Sequence, residues 1–176
     1  MPLRTVAAAK FIGTISLGLL TGLSYTNATL LTPALLTLPS AATASRTFTT
    51  LRNASTLHAQ ALTATSCISL FLAYAISPSK GRHPYLIWVS FITGLGSSAV
   101  DYFLMKGEKQ AKEKDSAKAR ISDEDSEDYD REEEDAVNGE QVRGQVERFR
   151  VAEAWRAGVS GLAFLMGVVG IWGDAY

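Results

Sequence analysis

Side chains able to carry chemistry are few in this sequence and poorly matched to one another. Lys10, His58, Gln60 and Asp101 stand in otherwise apolar stretches. An ionisable group at membrane depth marks a functional position by default. Asp101, however, falls about one turn before the end of its apolar run and five residues ahead of Lys106. An ion pair or a headgroup contact accounts for it better than a proton relay. His58 opens an apolar run and His83 lies between Arg82 and Pro84, so both read as interfacial. Cys67 stands alone and reads as a small packing residue. No nucleophile is spaced against a base, and no glycine-rich run has the form of a phosphate loop. No catalytic residue, cofactor or metal site is expected. The remaining chemistry is modification. Ser122 is followed by Asp123-Glu124-Asp125 and Ser126 by Glu127-Asp128, the setting acidophilic kinases favour. A phosphate there would add about −1.5 to −2 charge for a basic partner to read. The same run also reads simply as a solvated acidic tract.

The distribution of charge says which elements must hold these residues. The chain has 176 residues, 20% of them charged, and a net charge of −1. That fraction suits a soluble domain, but residues 106–156 hold 27 of the 35 charges. The other 125 residues carry eight, and no acid precedes Asp101. A soluble fold cannot keep its exterior wet with so few charges. A membrane protein with one charged loop is the class left.

A spanning helix needs about 20 apolar residues, and four windows provide them. They are residues 11–31, 57–76, 85–105 and 157–173. Lys10 can snorkel at the mouth of the first. Ser77-Pro78-Ser79-Lys80-Gly81 ends the second, and Pro84 opens the third. Trp155 and Trp172 bracket the fourth like an aromatic belt. The first two are rich in Ser and Thr, whose hydroxyls can bond back to their own helix or across to another. Small residues recur at four-residue spacing in three spans: Gly18 and Gly22, Gly94 and Ser98, Ala157 and Gly161. That spacing lets backbones approach on one face, so a packed bundle is expected.

The connecting segments differ sharply. Residues 40–54 place Ala41, Ala44, Phe48 and Leu51 at helical spacing, with Arg46 and Arg52 off that face. This predicts an interfacial helix resting on lipid. Lys106–Arg120 is basic and able to prolong the third helix. Residues 121–140 then set eleven acids against one arginine, a composition that predicts disorder. From Gln141 to Arg156 helical character returns, with Val142, Val146, Phe149 and Glu153 on one side. The expected organisation is therefore an all-α integral membrane four-helix bundle with a disordered acidic loop between the third and fourth spans. Residues 1–105 form a membrane region, 106–153 a charged, largely disordered loop, and 154–176 the fourth span with a short C-terminus. Its partners are the lipid bilayer and proteins that read the loop, not nucleic acid. The N-terminal apolar run is too long for a signal peptide and reads as an uncleaved anchor. The triplets Asn27-Ala28-Thr29 and Asn53-Ala54-Ser55 fit a glycosylation pattern too common to weigh.

Four spans put both termini on one side, with Arg4, Lys10, Lys80 and Arg82 near the helix ends there. The opposite side has Arg46, Arg52, Lys106, Lys109, Lys112, Lys114, Arg148, Arg150 and Arg156. The positive-inside rule then places the long loop in the cytosol and the termini on the far side.

Several ordered segments carry a resemblance. Ser16-Leu-Gly-Leu-Leu-Thr-Gly-Leu23, Thr47-Phe-Thr-Thr-Leu-Arg-Asn-Ala54, Arg82-His-Pro-Tyr-Leu86 and Gly167-Val-Val-Gly-Ile-Trp-Gly-Asp174 resemble the autophagy-related protein 33 family of fungi. The likeness runs through all four spans and both short connections; the acidic loop departs from it. It implies a multi-pass protein of the mitochondrial outer membrane that promotes selective autophagy of mitochondria, with no catalytic or cofactor residues to carry over. A more distant likeness, running from Gly22 through Pro39 and including Pro33-Ala-Leu-Leu-Thr-Leu-Pro39, is to a broad group of four-span proteins that includes anthrone oxygenases. There His58 and His83 would be the residues to suspect. The docking motif of a cargo receptor, an aromatic-x-x-aliphatic strand beside acids, is missing from the loop. Tyr129-Asp-Arg-Glu132 and Phe149-Arg-Val-Ala152 lack the aliphatic residue, while Phe48-Thr-Thr-Leu51 has the letters but basic neighbours. A role upstream of, or beside, a separate receptor is expected.

The charge partition makes a first prediction. The full chain should stay in the membrane pellet after alkaline carbonate extraction, and a soluble fraction would remove the membrane reading.

Overall fold

Long helices account for almost every residue that the structure, a computed structural model, describes: residues 2–77, 83–122 and 139–173, with side chains for 4–77, 83–107 and 139–173. Helix α1 runs Pro2–Thr26 and passes through a π turn, Asn27–Leu31, into the short α2, Thr32–Leu35. Then follow α3, Ala41–Ile76, α4, Tyr85–Ser122, and α5, Gly139–Gly173. Four segments are long and apolar enough to cross a membrane: Arg4–Leu35, Ala41–Ile76, Tyr85–Gly107 and Gly139–Gly173. The acidic tract 123–138 and the turn 78–82 lie outside the described residues.

Local chemistry explains the ends. Pro84 starts α4 by accepting from the N–H groups of Ile87 and Trp88, both at 3.2 Å. Pro33 has no N–H to return to the preceding turn, which leaves the helix there short of a hydrogen bond. The chain widens just before it, and both the backbone N–H and the hydroxyl of Thr32 reach the carbonyl of Asn27, the hydroxyl at 2.6 Å. After α2 the chain closes with short-range bonds, Leu36 N–H to Pro33 and Thr37 N–H to Ala34. It re-enters a helix after Ser40, whose backbone is extended.

Packing follows a ring, with α1 and α4 each lying between α3 and α5. Val6 and Leu17 of α1, Leu70 and Ala73 of α3, Leu86 and Val89 of α4, and Ala163 of α5 form one apolar cluster. Its surroundings are small and hydroxylic: Thr14, Ser16, Ser24, Ser66, Thr93 and Ser97 are all buried. Several hydroxyls bond back to their own helix, as Thr21 does to Leu17 at 2.8 Å and Thr93 to Val89 at 2.8 Å. Others cross, as Thr63 does to Ser97 at 3.3 Å. The large apolar side chains point outward instead. Phe11, Leu57, Phe71, Trp88, Leu95 and Val169 are each more than half exposed. A surface of that kind suits lipid.

A second cluster corrects the sequence reading. Residues 40–54 do not form a separate interfacial helix: α3 runs unbroken from Ala41. The Ala44, Phe48 and Leu51 face is covered by protein, against Leu35, Leu104, Val142, Val146 and Phe149. Phe48 meets Phe149 edge to face, with centroids 5.6 Å apart. The physical reason is length. Phe48 lies about 42 Å of helical rise from Ile76, beyond an apolar layer of about 30 Å, so its ring needs a protein partner rather than lipid. Within 106–153, the described residues at both ends are helical. Helix α4 continues to Ser122 and α5 begins at Gly139, with Val142, Val146, Phe149 and Glu153 buried on one side.

This second cluster should be energetically real. Phe149→Ala is expected to cost about 3–5 kcal/mol, read as a lowered thermal midpoint in detergent. Phe48→Ala added to it should cost less than it does alone, because the two rings share one contact.

Candidate functional site

Between the two apolar clusters lies a polar layer built from all four long helices. At its centre is Arg156 of α5, 2% exposed. One guanidinium nitrogen donates to Glu153, one turn earlier on the same helix. Another donates to Asp101 of α4. The second carboxylate oxygen of Glu153 accepts from the side-chain amide of Asn27, in the π turn, at 3.4 Å. The Asn27 carbonyl oxygen faces the Ser55 hydroxyl of α3 at 3.5 Å. Glu153 and Asn27 have no solvent exposure, and the Asp101 side chain keeps about a quarter of its own. Below Arg156, its backbone carbonyl accepts from the Ser160 hydroxyl at 2.7 Å, and the Thr21 hydroxyl oxygen of α1 lies 3.1 Å from that of Ser160.

One cation thus faces two carboxylates away from water. A buried ion pair costs several kcal/mol of desolvation per charge, returned only by close, fully hydrogen-bonded geometry. The arrangement therefore fixes positions: the four helices keep these groups together only in one register. Among the described residues, the charged groups of this layer bond to one another, while the buried Nε of Arg156 and the buried hydroxyl of Ser24 have no hydrogen-bond partner. Among the described residues, no group of three or more His, Cys, Asp and Glu is placed to hold a metal ion.

Asp101 is an ion-pair residue, as expected, but its partner is Arg156 rather than Lys106. Arg156 was visible in the sequence only as a basic residue beside Trp155, and Asn27 only as part of a triplet. A signal for the first did exist. The single acid before the loop needs a base on another helix, and Arg156 is the base nearest the start of the fourth apolar run. Asn27 had no comparable signal, because its place depends on the π turn.

The other candidates are dispersed. His58 Nδ1 lies 2.7 Å from the carbonyl oxygen of Ala54 in its own helix. His83 stands at the far end of the bundle, its ring 6.1 Å from that of Tyr85. Lys10 sits over the Tyr85 ring at 5.8 Å, and Cys67 Sγ donates to the Ser90 carbonyl at 3.5 Å. Gln60 is exposed. Of the small-residue positions, Gly18 and Gly161 lie at the α1–α5 seam. An added methyl group at Gly18 would meet the Phe164 ring at 3.1 Å, and one at Gly161 would meet Thr21 at 3.3 Å. Gly94 faces Cys67, while Gly22 faces open space. Ser98 is exposed and bonds back to Gly94 at 2.7 Å; Ala157 is half-buried. Close approaches missed from spacing alone are Gly170, against Tyr85, and Gly96, against Val159. The side chain of Ser122, and Ser126 as a whole, lie outside the described residues. Phe48-Thr-Thr-Leu51 is helical and its Phe48 is 4% exposed, so it does not present a strand to a partner.

Fold and site together define an all-helical bundle of spanning-length helices locked by a buried charge network. The chain belongs to the autophagy-related protein 33 family, whose model, described as autophagy-related protein 33, matches residues 1–174. A curated relative of that name from Gibberella zeae is 36% identical, covering 97% of this chain and 92% of its own. No solved structure matches. The family takes its name from autophagy rather than from a catalysed reaction.

Removing Arg156 strands two carboxylates. Arg156→Met should destabilise the protein by about 3–5 kcal/mol, and adding Asp101→Asn and Glu153→Gln should restore part of that loss. Asp101→Asn alone should cost less, because its side chain is partly solvated. Thermal unfolding in detergent measures all three.

Proposed function

We propose that this chain is a multi-pass protein of the mitochondrial outer membrane that promotes selective autophagy of mitochondria. It acts as a non-enzymatic membrane factor or scaffold. The observation that carries this reading is family membership over residues 1–174, and the four spanning-length helices support the membrane part. The polar layer supports the non-enzymatic part: its charged groups are spent on one another and hold helices in place.

The long loop faces the cytosol in this reading, with both termini across the membrane, following the excess of basic residues on the loop side. Autophagy machinery meets the protein through that loop, where Ser122 and Ser126 are candidate phosphorylation sites. The burial of Phe48 supports a role upstream of, or beside, a separate receptor. The oxygenase alternative draws no support from its two histidines: His58 lies midway along α3 and bonds back to Ala54, while His83 stands ahead of α4 at the end of the bundle.

Deleting the protein should reduce mitochondrial turnover under starvation, measured with a matrix-targeted degradation reporter. A deletion of residues 121–140 alone should reproduce the defect while the protein stays in the membrane. Normal turnover in the full deletion would overturn the reading.

A further inference from the structure

A basic and aromatic cleft opens on the loop side of the bundle, apart from the buried charge network. Arg52 of α3, Lys106 of α4 and Arg148 of α5 line a cavity of about 480 Å³, with Phe48, Tyr102 and Phe103 in its walls. None of its described lining residues is acidic. Arg148 is anchored across the seam, where it donates to the Gly107 carbonyl at 3.1 Å.

Depth is the second observation. Counted by helical rise from Ile76, Tyr85 and Trp172, the three bases lie about 36, 32 and 36 Å away. The hydrocarbon layer is about 30 Å thick. Three helices therefore agree in placing the bases at the headgroup plane. Tyr102 and Phe103 lie just deeper and are 68% and 63% exposed, at the level where aromatic belts sit. Positive charge stands above apolar surface, in the order that a phospholipid presents its own groups.

We propose that this cleft binds an anionic phospholipid, its phosphate among Arg52, Lys106 and Arg148 and its upper acyl chain against Tyr102 and Phe103. Basic clefts between spans on the cytoplasmic side are suited to such headgroups, and the volume is that of a small-molecule site. Free phosphate shares the charge but leaves the aromatic wall unused. The proposal rests on the membrane reading above.

The test uses full-length protein in nanodiscs of phosphatidylcholine with a minor share of phosphatidylglycerol. The protein is released into mild detergent, and its retained lipids are counted by native mass spectrometry. Phosphatidylglycerol should be enriched about tenfold over its share of the disc. Lys106→Gln and Arg148→Gln should each lower that enrichment about fivefold. Arg46→Gln, on the exposed side of α3, should leave it unchanged, and millimolar inorganic phosphate should not strip the lipid. No enrichment, an equal loss in Arg46→Gln, or displacement by phosphate would each overturn the site. Lys106 is exposed, so Lys106→Gln decides the matter should Arg148→Gln fail to fold. Extraction by alkaline carbonate would sink the membrane reading, whereas a chain that stays in the disc without enriching the anionic lipid sinks only the cleft.

Discussion

The Arg156 guanidinium cannot be left alone in the interior of this bundle, and the rest of the architecture answers that demand. Glu153 meets it from the same helix and Asp101 from α4. Asn27 and Ser55 then extend the network to the π turn that follows α1 and to α3. Apolar faces alone are poor at setting the axial position of one helix on another, particularly where lipid is as apolar as the side chains. Sliding α4 or α5 by a turn, about 5.4 Å, would part Arg156 from Asp101, and sliding α3 would part Ser55 from Asn27. Register is thus set by electrostatics, and the apolar clusters on either side fill the volume that it defines.

The π turn has a place in the same account. Pro33 deprives the preceding turn of a donor, and the widened backbone that results is held by Thr32 on the Asn27 carbonyl. That leaves the Asn27 side chain to reach Glu153. A proline with no role in the polar layer therefore helps to position one of its members. Nearer the termini the helices fit through small and hydroxyl residues, such as Gly18 against Phe164 and Thr21 against Ser160.

Much of the fold was legible because composition and period act locally. Charge segregation, spanning length, Pro84 and the Val142–Val146–Phe149 stripe each depend on neighbours in sequence. The polar layer was legible only in part. Asp101 announced itself as an isolated acid, but its choice of Arg156 over Lys106 is a matter of tertiary packing. Asn27 was hidden because an asparagine in a Thr-rich stretch has no distinguishing period. The segment 40–54 misled for a related reason: an apolar face at helical spacing looks the same whether lipid or another helix covers it. Only the position of α5 decides between them.

Helices α4 and α5 also differ in reach from what a bilayer requires. Past the level of the polar layer, α4 adds about 32 Å of helical rise from Asp101 to Ser122, and α5 about 26 Å from Arg156 back to Gly139. For α5 the inner face of that extension is braced by the Phe48–Phe149 cluster. Were hydrocarbon to cover the lower part of the bundle, the helix ends at Ser122 and Gly139 would stand clear of the lipid surface. Steric clearance is the consequence. A soluble protein could then reach those helix ends without first pushing into the headgroup layer.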